Sequence, residues 1–121
     1  MKREFEIGEC YSRDYIHQKL RGSKLEYLPH VNGVVVCGCF RKDLNPDEVL
    51  PGDGAGIVKW ADVFSRQNQA VPVFLKEASN RWRYKGKWRV DKVTRDRIEI
   101  EARNKRTGRK DISMILRLVK E

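Results

Sequence analysis

Hydrophobic and polar positions alternate most strictly between Arg81 and Val90, "RWRYKGKWRV". Trp82, Tyr84, Trp88 and Val90 hold the even positions with Gly86 in the gap, and Arg81, Arg83, Lys85, Lys87 and Arg89 hold the odd ones. A period of two is that of a strand with one buried face. The rings are assigned to the core face, because exposed clusters of large aromatics are uncommon in soluble proteins. Every cation then falls on the opposite, wet face. Weaker alternation predicts a short strand over "EFEIGECY" (residues 4–11), another over "VPVFLKE" (71–77) and a buried one over "VVVCGCF" (34–40). Pro72 marks the 71–77 strand as an edge strand or places the proline at its start. Near the end, "RIEIEA" and "ISMILRLV" both alternate, and "RNKRTGRKD" between them carries turn residues Asn104 and Gly108. Together they predict a hairpin whose tip holds Arg103, Lys105, Arg106, Arg109 and Lys110.

Helical spacing is clear in one place. Ser12 is suited to N-cap a helix through "RDYIHQKL", with Asp14 in the first turn and Arg21-Gly22 as the stop. "SKLEYLPHVNG" (23–33) reads as a loop with apolar content. "RKDLNPDEVLPGDGAG" (41–56) reads as a long loop with one short helical turn at "PDEVL". "VKWADVFSRQNQ" (58–69) fits either a short helix or a strand-like segment. The prediction is one domain over residues 1–121, mainly β (α+β). It takes the form of an open β-barrel or strongly curled sheet of five to six strands with one or two short helices.

Charge changes this picture. The 121 residues include 26 Lys or Arg against 17 Asp or Glu, a net charge of +9, and such a surface draws polyanions. The longest apolar run, Val34–Cys37, is far too short to cross a bilayer. The start, "MKREFEIGECY", lacks the apolar core of a signal peptide, so a cytoplasmic location is expected. The Cys37-Gly38-Cys39 pair would sit on one strand face as small buried hydrophobes. Cys10, His17 and His30 add no C-x-x-C or H-x-x-x-H spacing, so buried reduced thiols are expected and neither a metal nor another cofactor.

Catalytic signatures are scarce. "PGDGAG" lacks the Gly-Lys-Ser/Thr ending of a P-loop, and there is neither a G-x-G-x-x-G nor a G-x-S-x-G. Asp53, Glu77, Glu99 and Glu101 would serve a metal-dependent nuclease only if folding gathered them, and their spacing gives no such sign. Trp60, Phe64, Arg66, Gln67 and Asn68, by contrast, combine aromatic surface with amide and guanidinium donors. That is equipment for holding a base between π-faces while reading its edge.

"YSRDYIH…LRG" (Tyr11, Arg13, Ile16, His17, Gly22) resembles the opening of the SRA-like domains of HNH-type, modification-dependent (type IV) restriction endonucleases. "GDGAGIVKWADVFSRQNQAVPVFLKE…WRYKGKWRV" is similar to the second half of the same PUA/SRA-like modules. The likeness reaches to about Val90 in short islands. It implies a PUA/SRA-like barrel that grips duplex DNA and extrudes one base, typically a modified cytosine, into a concave pocket. On that basis Tyr11, Trp60, Phe64, Ser65, Gln67 and Asn68 line or border the base pocket, and Arg13, His17 and Gly22 belong to the helix and loop beside the DNA. Arg21, Lys24, Arg41, Lys42, Arg81, Arg83, Lys85, Lys87, Arg89, Arg106 and Arg109 are the remaining candidates for phosphate contact. The resulting expectation is a non-catalytic double-stranded DNA-binding module working with a separate or fused nuclease in restriction-modification. Two alternatives stand beside it: an RNA- or nucleotide-binding PUA/ASCH-like domain, and a small metal-dependent nuclease.

Overall fold

In the computed structural model, residues 4–41 and 48–121 are described; Lys42 and the first two residues of "PDEVL" lie outside them. The elements, in chain order, are β1 (Cys10–Tyr11), α1 (Arg13–Leu20), β2 (His30–Val31), β3 (Val34–Val35), β4 (Gly38–Arg41), β5 (Glu48–Val49), α2 (Ala55–Gln67), β6 (Val71–Ala78), β7 (Arg81–Thr94), α3 (Arg97–Thr107) and β8 (Ile115–Lys120). The class is mixed α+β, as expected, with eight strands, several of only two residues, and a third helix among the described residues.

Helix α1 forms where the capping pattern placed it: Ser12 Oγ accepts from the Tyr15 N–H, and Arg21 and Gly22 end it with positive φ. The alternating 4–11 segment is strand only at β1, which pairs with Trp82 and Arg83. The 34–40 run is split. Val34 and Val35 turn back on His30 and Val31 through Asn32-Gly33, both with positive φ. The chain then enters β4, parallel to β6. Glu48 and Val49, expected in a helical turn, form strand β5 on β8.

One sheet organises the molecule, in the order β4-β6-β7-β8-β5, with β1 added beside β7. Pro72 sits near the start of β6 at a register shift, in the interior of the sheet. Strand β6 is buried on both faces: Val71, Val73 and Leu75 join one core cluster with Phe64 and Leu116, while Phe74 joins a second with Phe5, Ile16 and both buried cysteines. Cys37 and Cys39 are free thiols within that second cluster, as the C-x-C spacing predicted.

The pairing of β7 corrects the single-face reading of "RWRYKGKWRV". Tyr84 pairs with Phe74, but Lys87 pairs with Pro72, so β7 spends an extra residue between them. Gly86 absorbs it with φ +96°, and the Trp88 indole N–H donates to the Lys85 carbonyl at 2.9 Å across the bulge. Paired residues share a face. Trp82 and Tyr84 therefore join Phe74 in one core, whereas Trp88 and Val90 pack on the other. The rings are core residues, as the alternation implied, but of two cores. The cations divide accordingly. Arg83 shares the face of its partner Leu75, and Lys87, opposite Pro72, lies with Arg89 on the reverse face.

The predicted C-terminal hairpin is instead helix α3 followed by β8. Asp96 caps it by accepting from the Ile98 N–H at 2.8 Å, and Gly108 closes it with φ +72°. Glu99 to Arg103 and Glu101 to Lys105 are i,i+4 pairs of the favourable polarity. The Ile98–Ile100 alternation misled because only Ile100 packs, against Leu50, Ile112 and Ile115; Ile98 is 80% exposed.

Candidate nucleic-acid interface

The free edges of the sheet path are β4 and β5. Both line one cavity of about 540 Å³: Phe40 and Arg41 come from β4, Val49 from β5, and Leu50, Pro51 and Gly52 from the segment after it. The curled sheet thus leaves a concavity between its two ends, within the size range of small-ligand sites.

Tyr27 forms one wall. Its hydroxyl donates to the Ile57 carbonyl at 3.0 Å, its ring lies tilted beside Phe40 at 6.4 Å, and its own carbonyl accepts from the Cys39 N–H at 2.8 Å. Burial, reinforced by the Asp62 and Glu26 charges, pushes the Tyr27 hydroxyl well above its usual range, so it remains a donor. The opposite rim comes from the turn after α3. Arg109 donates through Nε to Asp111 Oδ1 at 2.9 Å and through Nη1 to the Leu50 carbonyl at 2.8 Å. The guanidinium holds the Asp111 carboxyl below the ordinary carboxylate range. A Cβ on Gly52 would lie 2.7 Å from Asp111 Oδ2, so the approach of that carboxylate requires glycine there. The cavity therefore offers aromatic faces, a fixed carboxylate acceptor and guanidinium donors. These are the groups that grip a planar heterocycle and read its edge.

The six residues expected at a base pocket are not gathered here. Tyr11 stacks on Tyr15 at 5.2 Å, and its hydroxyl accepts from the Glu6 N–H at 2.7 Å. Trp60 stacks on His30, with ring centroids 3.4 Å apart. Phe64 is fully buried in the core. Ser65 Oγ donates to the Asp62 carbonyl, and Asn68 ends α2 in the left-handed conformation. The Gln67 amide brackets Val35, accepting from its N–H at 3.0 Å and donating to its carbonyl at 2.9 Å. None of the six lines the cavity between β4 and β5. Tyr27, Phe40 and Asp111 were missed. Their only signal was proximity to turn residues, Pro29 and Gly108, that bring distant loops together.

The candidate cations fall into two groups. Arg13 donates to His17 Nε2 at 2.8 Å and to the Ser23 and Glu26 carbonyls, with its guanidinium 4.9 Å from the Trp82 ring. His17 is buried, its Nδ1 2.8 Å from the Arg21 carbonyl. Because Nε2 accepts from Arg13, Nδ1 carries the proton. Burial and then the Arg13 charge lower its pKa, against the opposing bond to Arg21, and keep the ring neutral. Lys24 pairs with Asp14, Arg83 with Glu77 and the Gly8 carbonyl, and Arg106 with Glu48. Arg109 belongs to the cavity rim. Arg21, Arg41, Arg81, Lys85, Lys87 and Arg89 have no ion pair among the described residues.

No protein-family model matches the chain, and no curated protein matches it. Among solved structures, the SRA domain of SUVH5, determined in complex with hemimethylated CG DNA, superimposes with a TM-score of 0.61 at 11% identity. The match covers 100% of this chain and 91% of that one. The chain has the SRA-like fold.

Proposed function

We propose that this protein is a non-catalytic module that binds duplex DNA and reads a modified base, in the first instance a modified cytosine, by extruding it into the cavity between β4 and β5. The observation that carries this reading is the combination of an SRA-like fold over the whole chain with a cavity of about 540 Å³ at the gap in its sheet. The matched SUVH5 domain was determined with hemimethylated CG DNA, which supports a modified duplex as the ligand class. Extrusion costs a few kcal/mol of unstacking, which stacking on Tyr27 and hydrogen bonds to Asp111 would offset. Asp111 suits the cytosine edge, since a carboxylate accepts from the N4 amine. Cleavage falls to a partner, separate or fused, as in the HNH-type enzymes that the N-terminal motif resembles.

The test is a binding panel of otherwise identical duplexes carrying cytosine, modified cytosines or modified adenine at one position, at two salt concentrations. Tighter binding to a cytosine modification, retained at the higher salt, is expected. Equal affinity for every duplex would exclude the reading, and preference for matched RNA would replace it.

A further inference from the structure

The Gly86 bulge has a consequence for where a polyanion lies. Beyond it, Lys87 and Arg89 occupy the face of β7 opposite the Val71–Leu75 core. A second register shift, between Val90 and Lys92, sets Lys92 opposite Arg117 of β8. Arg117 in turn pairs in register with Glu48 of β5. Lys92 and Arg117, with Arg103 of α3, line one small polar recess of about 250 Å³ that also contains Thr94, Glu48 and Glu99. Arg103 reaches Glu48 through two bonds of 3.0 Å, and Arg106 reaches it at 3.5 Å, so α3 is moored over this same face. Along α3, Lys105 and Lys110 share a groove with Ile98, Glu101 and Arg109, and Arg109 stands on the rim of the cavity between β4 and β5.

The recess and the groove both lie against α3, and Arg109 belongs to the groove and to the cavity rim. From them we infer a single cationic track, running from the cavity rim at Arg109 along α3 and down the outer face of β8 and β7 to Arg89 and Lys87. It takes the phosphate backbone of duplex DNA beside the read position. Glu48 is largely committed to the two arginines of α3, whereas Lys87, Arg89, Lys92 and Arg117 have no ion pair among the described residues. A sheet face with spaced, unpaired cations grips phosphates without reading sequence. The track rests on the proposed DNA-reading function, but it is tested separately from the cavity.

The experiment titrates an unmodified duplex and its modified-cytosine counterpart with wild-type protein and with R89Q/K92Q/R117Q across a salt series. K19Q/K76Q, at lysines that lie over the Tyr15 and Trp82 rings away from the track, is the control, and thermal unfolding verifies that both variants fold. Each lost phosphate contact removes about one unit from the slope of log K against log salt. The triple variant should therefore lose roughly two to three units and most of its affinity, while the control keeps its slope. An unchanged slope in the triple variant, or a larger loss in the control, would overturn the track. If the triple variant retains both its slope and a preference for modified duplex, the track alone fails. If it loses slope while the wild type shows no modified-base preference, the track stands and the base-reading function fails.

Discussion

At the residue scale, two positions are fixed by their surroundings or their backbone: His17 by its two ring contacts and Gly86 by its positive φ. His17 is held neutral inside the α1 corner by Arg13 on one ring nitrogen and the Arg21 carbonyl on the other. Its folded-state pKa is lowered from the ordinary 6.5, so the unfolded chain binds the proton more readily. Above pH 6.5 the imidazole is neutral in both states. As pH falls below that value the unfolded state takes up a proton that the folded state resists, and stability is lost. Denaturant midpoints at about pH 7.5 and about pH 5.5, on either side of the ordinary histidine value, should show a drop for wild type that is reduced in His17→Gln. Parallel behaviour of the two proteins would contradict this role. Gly86 is the second position. Its φ is +96°, a conformation that L side chains rarely adopt, whereas the atom nearest a Cβ there, Lys120 Cε at 3.0 Å, is the far end of a flexible side chain, so the backbone is what disfavours a side chain. Gly86→Ala should cost about 1–3 kcal/mol in urea unfolding, and a neutral substitution would mean that the bulge tolerates an L-residue.

At the element scale, α3 shows both how the fold is held and where the sequence misleads. The helix buries no residue fully and is moored by Ile100, the Arg103–Glu48 pair and the Asn104 side chain, which accepts from the Ile112 N–H at 3.3 Å. Arg103, through its hydrogen bonds, lowers the Glu48 pKa from 4.5, so this stabilisation is present above that pH and lost as pH falls through the depressed value. Glu48→Gln should destabilise by about 1 kcal/mol, the pair being part-exposed. Hydrogen exchange of α3 amides should quicken while β6 and β7 stay protected. Unchanged α3 protection would show that the pair is not its mooring. Helix α1, β6 and β7 were legible because caps and strict alternation are local signals. Helix α3 was not, because Ile98 and Ile100 mimic a strand and the deciding contact, Glu48, is 55 residues away. The division of β7 into two faces was hidden for a related reason. A bulge changes the parity of a strand through its pairing, and pairing is not written in the alternation.

At the scale of the whole molecule, the proposed nucleic-acid partner meets groups distributed differently from those the sequence pattern singles out. The aromatic and polar residues expected to hold a base, Trp60 and Phe64 to Asn68, build α2 and fix it to β3. Composition alone does not distinguish recognition chemistry from packing and capping. The cavity instead assembles from five segments, around Tyr27, Phe40, Leu50, Ile57 and Arg109, and only the fold brings them together. Tyr27→Ala should abolish selectivity for a modified duplex and leave the affinity for plain duplex, assigned above to the proposed cationic track, within about twofold, or about 0.4 kcal/mol. Equal losses on both duplexes would place Tyr27 outside the reading site. The central claim, extrusion of one base into this cavity, is tested most directly with 2-aminopurine placed beside the modified cytosine. Fluorescence should rise as protein saturates the modified duplex and stay flat on the plain one. Saturation, verified by anisotropy, without any rise on the modified duplex would contradict base extrusion.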